Sequence, residues 1–359
     1  MLNSDGSQPI APTAISDRVT GQGRRRIPSG VIAAAGRIFA LGILVAVFTI
    51  ISPEFLSLSN WLNTSVYTTT TLLLALGETV VIITGGIDLS VGATLGVSSS
   101  LAALYLASAG PGDGSVVVAG IIAVATGVAM GLLNSFVISW LGVTPFITTL
   151  GTLGIGTGLT LLLTGGTDIT IPSAIIPLGN GVWVTWIPVP VAITAVLCVL
   201  TFYILRFTRF GLRTYAIGSS SQAAVRSGIN VTKHLRGVYV MSGVLAGIAG
   251  LLTLARYDVG SPTAGQDAEL GAIAAVVIGG GSLFGGEGGV GGTVIGAIFV
   301  SSLVTGLVLA GVNPNWQEIS VGLLIIGAVA IQQLVEGPRW AELRKRLRRR
   351  FGRRRAADN

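Results

Sequence analysis

TRFGLRTYAIGSSSQAAVRSGINVTKHL, Thr208 to Leu235, is a polar and basic stretch set inside a chain that is otherwise apolar and poor in charge. From Arg206 to Arg236 the chain carries six of its 22 Lys and Arg residues, whereas none lies between Arg37 and Arg206. A membrane-embedded chain that strands such an island on one side is expected to offer it to a soluble partner. The island has internal design. Ser219 and Gln222 stand at capping-box spacing, so the serine hydroxyl can accept from the amide three residues on while the glutamine returns to the serine's own amide. Gly228 supplies a C-terminal stop. The residues between them, Ser219 to Ser227, make about two helical turns, too few to hold together alone in water. Their helicity has to come from what they dock against.

Composition fixes the rest of the frame. Of 359 residues 51% are hydrophobic and 10% charged, with a mean hydropathy of +0.79, which excludes an ordinary soluble domain. The apolar runs are long and do not alternate as barrel strands would, so the fold class is an all-α integral membrane protein. A hydrocarbon core of about 30 Å needs about 20 residues of helix. Spans are expected near 31–51, 62–84, 89–109, 116–140, 144–164, 187–206, 236–257, 269–283, 290–311 and 317–335, about ten in all, the eighth weak. Broken or re-entrant segments are expected near 84–90 and 279–289.

Charge gives the orientation. Arg24, Arg25 and Arg26, the central loop 207–235, and the ten basic residues from Arg339 to Arg355 should all be cytoplasmic by the positive-inside rule. Both ends inside require an even number of spans, as counted. The expected layout is a disordered cytoplasmic tail over 1–30, a transmembrane domain over 31–335 and a basic cytoplasmic tail over 336–359. The tail sequence RKRLRRRFGRRR reads as an anchor against anionic membrane lipid rather than a nucleic-acid site. Arg256 is the one basic residue near the outer face, with Asp258 its expected partner. Trp183 and Trp186 suit the outer interface, and Pro172, Pro177, Pro188 and Pro190 stiffen the long outer loop from Gly165 to Trp186. The single cysteine, Cys198, excludes an intrachain disulfide.

Several polar residues stand out within the apolar runs. Asp88, in GIDLS, is ionisable at membrane depth and so a candidate for the translocation pathway; with Ser90 it could equally cap the helix that follows. Glu78, about two turns earlier, and Asn134 are the other pathway candidates, the asparagine also suited to hydrogen bonding between helices. TGGIDLS (84–90) and TGGTDIT (164–170) lie an odd number of spans apart, which is what an inverted repeat would produce. Glycines at 151–158 (GTLGIGTG) and at Gly243, Gly247 and Gly250 are spaced for close helix approach. GGGSLFGGEGG (279–289) is not followed by Lys-Ser or Lys-Thr and has no βαβ context, so it is a bend rather than a nucleotide cradle. The only histidine, His234, reads as a solvated loop residue, and no catalytic constellation is visible.

GGIDLSVGA (85–93), GLLNSFVISWLGVTPFITTLGT (131–152), TRFGLRTYAIGSSSQAAVRSGINV (208–231) and ELGAIAAVVIGGGSLFGGEGGVGGTVIGA (269–297) resemble, in the same order, the transmembrane permease subunits of bacterial ribose-type monosaccharide ABC importers. The resemblance runs from about Leu72 to Ala330. It implies a multi-pass subunit of the bacterial cytoplasmic (inner) membrane that pairs with a second permease copy, works with cytoplasmic ATPases and receives substrate from an extracytoplasmic sugar-binding protein. ATP and Mg would be bound by the ATPase, and no cofactor by this chain. The family's coupling helix falls on Gly218, Ser219, Ser220, Ser221, Gln222, Ala223, Ala224, Arg226, Ser227 and Gly228. Ser-Ser-Ser-Gln stands where relatives of this kind usually carry Asn and acidic residues, which suggests an ATPase groove that is less basic. Glu78 stands where a neutral residue is usual. The competing expectation is a proton-coupled secondary transporter using Glu78 and Asp88. Within the importer class an autoinducer-like sugar, a polyol or a nucleoside are alternative substrates.

Overall fold

The computed structural model describes residues 29–110, 112–171, 175–183 and 186–336. The two expected tails, apart from Ser29, Gly30 and Glu336, lie outside the described residues, as does Pro172. In chain order the helices are α1 (Ser29–Ile51), α2 (Leu58–Ile83), α3 (Val91–Ala109), α4 (Asp113–Ser139), α5 (Pro145–Thr164), α6 (Ile176–Asn180), α7 (Val189–Phe207), α8 (Arg209–Ser219), α9 (Ser221–Arg226), α10 (Val231–Tyr257), α11 (Ala268–Ile278), α12 (Val290–Leu309) and α13 (Pro314–Glu336). Eight of them are long and apolar enough to cross a membrane, and α13 is a further helix of 23 residues.

Helix α2 is the axis of the bundle. Every residue from Leu72 to Ile83 is buried, as expected of a helix that is apolar on all sides and surrounded by others. It packs against α7, α10, α11 and α12. The tightest crossing is α4 on α10, where a Cβ on Gly127 would strike the carbonyl of Gly243 and one on Gly243 the carbonyl of Gly127. Gly247 meets Ala123 and Gly250 meets Leu95 in the same way, so the expected glycine seam on α10 is a packing surface. In GTLGIGTG only Gly156 is used so, against Ala93 and Met130; Gly151, Gly154 and Gly158 face open space.

Two sets of connections gather at opposite ends of the bundle. At one end the turn from Thr84 to Ser90, helices α8 and α9, and the turn from Gly279 to Gly289 meet: the amide of Gly286 donates to Ile83 O at 2.8 Å. At the other end a two-residue strand β1 (Ile169–Thr170) pairs antiparallel with β4 (Val259–Gly260), and β2 (Val182–Trp183) with β3 (Ile187–Pro188). This grouping is the one that successive crossings demand.

The eighth crossing departs from the expected 269–283 span. Helix α11 has 11 residues, about 16 Å, or half of a 30 Å core. Residues 261–267 supply the other half. Gly260 packs on Ala103 of α3 and Gly265 on Gly92 of the same helix, so the chain descends along eleven residues, again about 16 Å, before α11 begins. The polar sequence SPTAGQD falls between the expected spans 236–257 and 269–283; non-helical backbone at depth is tolerated because it is buried in protein and lines cavities. The expected break at 279–289 is present as well, with Gly280, Gly285, Gly286 and Gly288 all at positive φ.

TGGIDLS and TGGTDIT end their helices with the same bond, Gly86 N–H to Val81 O at 3.2 Å and Gly166 N–H to Leu161 O at 3.1 Å. They do so at opposite ends of the bundle. Beyond the stop they part: the first turns back into α3 with Asp88 buried, the second runs into β1 with Asp168 exposed.

Candidate functional site

The basic stretch folds as two helices rather than one. Thr208 caps α8 by accepting from Phe210 N at 3.1 Å. The cap of α9 is Ser220, whose hydroxyl accepts from Ala223 N at 3.2 Å, not Ser219. Ser219 instead closes α8, its hydroxyl donating to Tyr215 O at 2.9 Å. This shift of one residue leaves Gln222 too early in the helix to return to the cap, and α9 spans Ser221–Arg226. Its end is as expected: Gly228, at φ 81, donates to Val225 O and Ile229 to Ala224 O, both at 3.0 Å, a Schellman stop. Ala224 is buried, while Ser221, Gln222, Ala223, Val225, Arg226, Ser227 and Gly228 are exposed. The helix therefore rests on its own chain by one alanine and presents the rest of its surface outward.

What lies under α8 and α9 ties them to the axis of the bundle. Gly218 sits against the Ile83 carbonyl so closely that a Cβ would collide with it, and that carbonyl is the one accepting from Gly286. Tyr215 donates its hydroxyl to Gly288 O at 2.9 Å. Burial holds the Tyr215 phenol above its ordinary range, against the pull of Arg206, so it stays a donor. His234 is not solvated: it is buried at the start of α10, its Nε2 2.9 Å from Thr214 Oγ1, its ring 4.6 Å from that of Phe210. Helix α8 thus joins α9 to the end of α2 and the glycine turn.

Directly above that junction, the three pathway candidates of the sequence converge. The amide of Asp88 donates to Glu78 Oε1 at 3.1 Å, so the turn after α2 folds back to a level five residues, about 7.5 Å, short of the helix end. Asp88 Oδ1 accepts from the amide of Ser90 at 3.1 Å and its hydroxyl at 2.6 Å, and Oδ2 accepts from Ser242 Oγ at 3.0 Å. Asn134 Nδ2 donates to Ser90 Oγ at 2.7 Å, and Thr152 Oγ1 donates to Asn134 Oδ1 at 2.7 Å. Asp88 does not cap α3 through the free amides of its first turn; it pins the turn to α10. All three candidates are buried, and the network joins α2, α4, α5 and α10. Ser242 and Thr152 carried no signal of their own, small hydroxyls being common in spans, where they satisfy their own helix carbonyls. Thr152→Val should lower the unfolding temperature of the purified protein modestly, by the worth of about 1 kcal/mol, since interhelical hydrogen bonds in membranes average less than that; a loss of several kcal/mol would show the network to be tighter than its geometry.

At the far end Arg256 and Asp258 do not form the expected pair. Asp258 ends α10 in the left-handed conformation, φ 58, while Arg256 lies over the ring of Tyr257, 5.7 Å from its centre.

The model of a transport family described as "branched-chain amino acid transport system / permease component" matches residues 60–329. The D-allose transport system permease protein of Escherichia coli (strain K12) is 37% identical over 302 residues, 84% of this chain and 91% of that protein. The ribose import permease protein of Bacillus subtilis (strain 168) is 41% identical over 308 residues, 85% and 94%. The galactose/methyl galactoside import permease protein of Escherichia coli (strain K12) is 37% identical over 311 residues, 81% and 91%. No solved structure matches the chain.

Proposed function

The chain belongs to the branched-chain amino acid transport system / permease component family and is a transport component rather than an enzyme; from that premise we propose that it is the membrane subunit of an ABC importer for a neutral monosaccharide. The sugar class is favoured over an amino acid because the proteins it resembles along most of their length are named for allose, ribose and galactose. In this reading the end bearing α8 and α9 is cytoplasmic, both termini lie on that side, and a separate ATPase grips the exposed face of α9. A sugar-binding protein delivers substrate at the far end, and a second copy of this chain completes the importer. ATP and Mg belong to the ATPase.

The observation that carries the proposal is the contact of Gly218 with Ile83 and Gly286. ATP-driven approach of two ATPases would push α9, and the push would reach the central helix and the turn holding Asp88, biasing the bundle between outward and inward access. The test is Ala223→Asp. Ala223 is exposed, so the protein should fold and insert normally while stimulation of ATPase activity by the loaded binding protein disappears in the reconstituted importer. Undiminished stimulation would sink the assignment of α9.

A further inference from the structure

Between the far end of the bundle and the start of α11 the broken eighth crossing opens two cavities, one of about 490 Å³ and one of about 160 Å³. Both are bounded by Gly265, Gln266 and Asp267. The larger is of a size common for small-molecule sites. Its polar wall combines Tyr67 on α2, Arg256 and Tyr257 at the end of α10, Gln266 and Asp267 on the descending segment, and Gln317 on α13. Charges of both signs are present, since Arg256, Asp267 and Glu318 all line the same space. Two buried polar atoms at these cavities lack a partner among the described residues: Arg256 Nη1 at the larger and Glu269 Oε2 at the smaller.

Buried polar atoms left without a partner are costly unless used. Discontinuous crossings are where transporters build solute contacts, because freed backbone and the start of a half-helix face the route. The chemistry of the wall narrows the solute. A guanidinium fork can bridge two neighbouring hydroxyls, the carboxamides and carboxylate both match hydroxyl groups, and tyrosine rings cover C–H faces while their hydroxyls remain free to bond. The two carboxylates disfavour an anion and the guanidinium a cation. We propose that the cleft around Gln266 and Arg256 is a binding station for a neutral polyhydroxylated solute on its way through the membrane, and that it selects among such solutes. The proposal deepens the importer reading and rests on it.

The test uses the complete importer, with its ATPase and binding protein, and radiolabelled D-ribose, D-allose and D-galactose. Wild type should accumulate at least one of them. Arg256→Gln and Gln266→Ala should each lower its uptake at least fivefold and change the ratio among the three sugars, with stimulation of ATPase by the loaded binding protein within twofold of wild type. Gln266 is exposed, so its truncation does not threaten folding. A merely structural role would depress uptake and ATPase together and leave the sugar ratios alone. Unchanged uptake and ratios in Gln266→Ala and Arg256→Gln, with wild type active, overturn the station while sparing the importer reading. A wild-type importer that takes up none of the three sugars but accumulates radiolabelled L-leucine overturns both.

Discussion

Asp88→Ala is expected to destabilise the purified permease by about 3–5 kcal/mol, because it removes one acceptor group and orphans several buried donors at once. The amide and hydroxyl of Ser90 lose Oδ1 and Ser242 loses Oδ2, none of them within reach of water. Once Ser90 is released, Asn134 and through it Thr152 lose their anchor. Asp88→Asn keeps the shape and one acceptor oxygen, and its amide can still meet the Ser242 hydroxyl, so it should cost about 1 kcal/mol. Thermal unfolding in detergent, followed by the amount of folded protein in membranes, checks both values.

The same pair of variants separates three roles for this carboxylate. If Asp88 is a staple, alanine loses stability and transport together and asparagine restores both. Were it a contact for the solute, alanine would keep the fold and lose uptake. In a proton-coupled carrier asparagine, which cannot take up a proton, would abolish accumulation while leaving the protein stable, and uptake would collapse with the proton gradient rather than with ATP. The geometry favours the first: Asp88 is buried and both its oxygens are engaged, one of them by Ser242 of α10.

How much of this was legible in the sequence depended on whether a signal was local. Helix positions followed from apolar runs about 20 residues long, and the stop at Gly228 from the need for a left-handed residue. The cap slipped by a residue because three consecutive serines offer the same hydroxyl, and only the end of α8 decides which one is free. The half-length α11 was hidden for a different reason. SPTAGQD is polar enough to pass for a surface loop, and its depth is set by Gly92 and Gly96 of α3, which accept its backbone where a side chain would not fit. His234 misled likewise, since its partners Thr214 and Phe210 come from another helix. The cluster around Asp88 was recognisable by residue type, but its closure through Ser242 depends on a contact 154 positions away in sequence.

Gly218→Val should cut sugar uptake and ATPase stimulation at least tenfold while leaving the ATPase bound. The substituted Cβ would meet the Ile83 carbonyl and the amide of Gly286, both backbone atoms that cannot turn aside as a side chain would. Either α8 withdraws from α2 or the 2.8 Å bond from Gly286 to Ile83 breaks; such overpacking costs about 1–3 kcal/mol, which a bundle cored on α2 can survive. The exposed face of α9 is untouched, since Ser220 and Gly228 still define that helix by local bonds. Co-purification of the ATPase with Gly218→Val therefore distinguishes this variant from Ala223→Asp, which should weaken the grip itself. Gly36→Ala, where a Cβ meets nothing within 4 Å, is the control for glycine replacement as such. If Gly218→Val transports at the wild-type rate, the push of the ATPase does not travel through the end of α2, and the route must run instead through Ala224 and Ile229 into the start of α10.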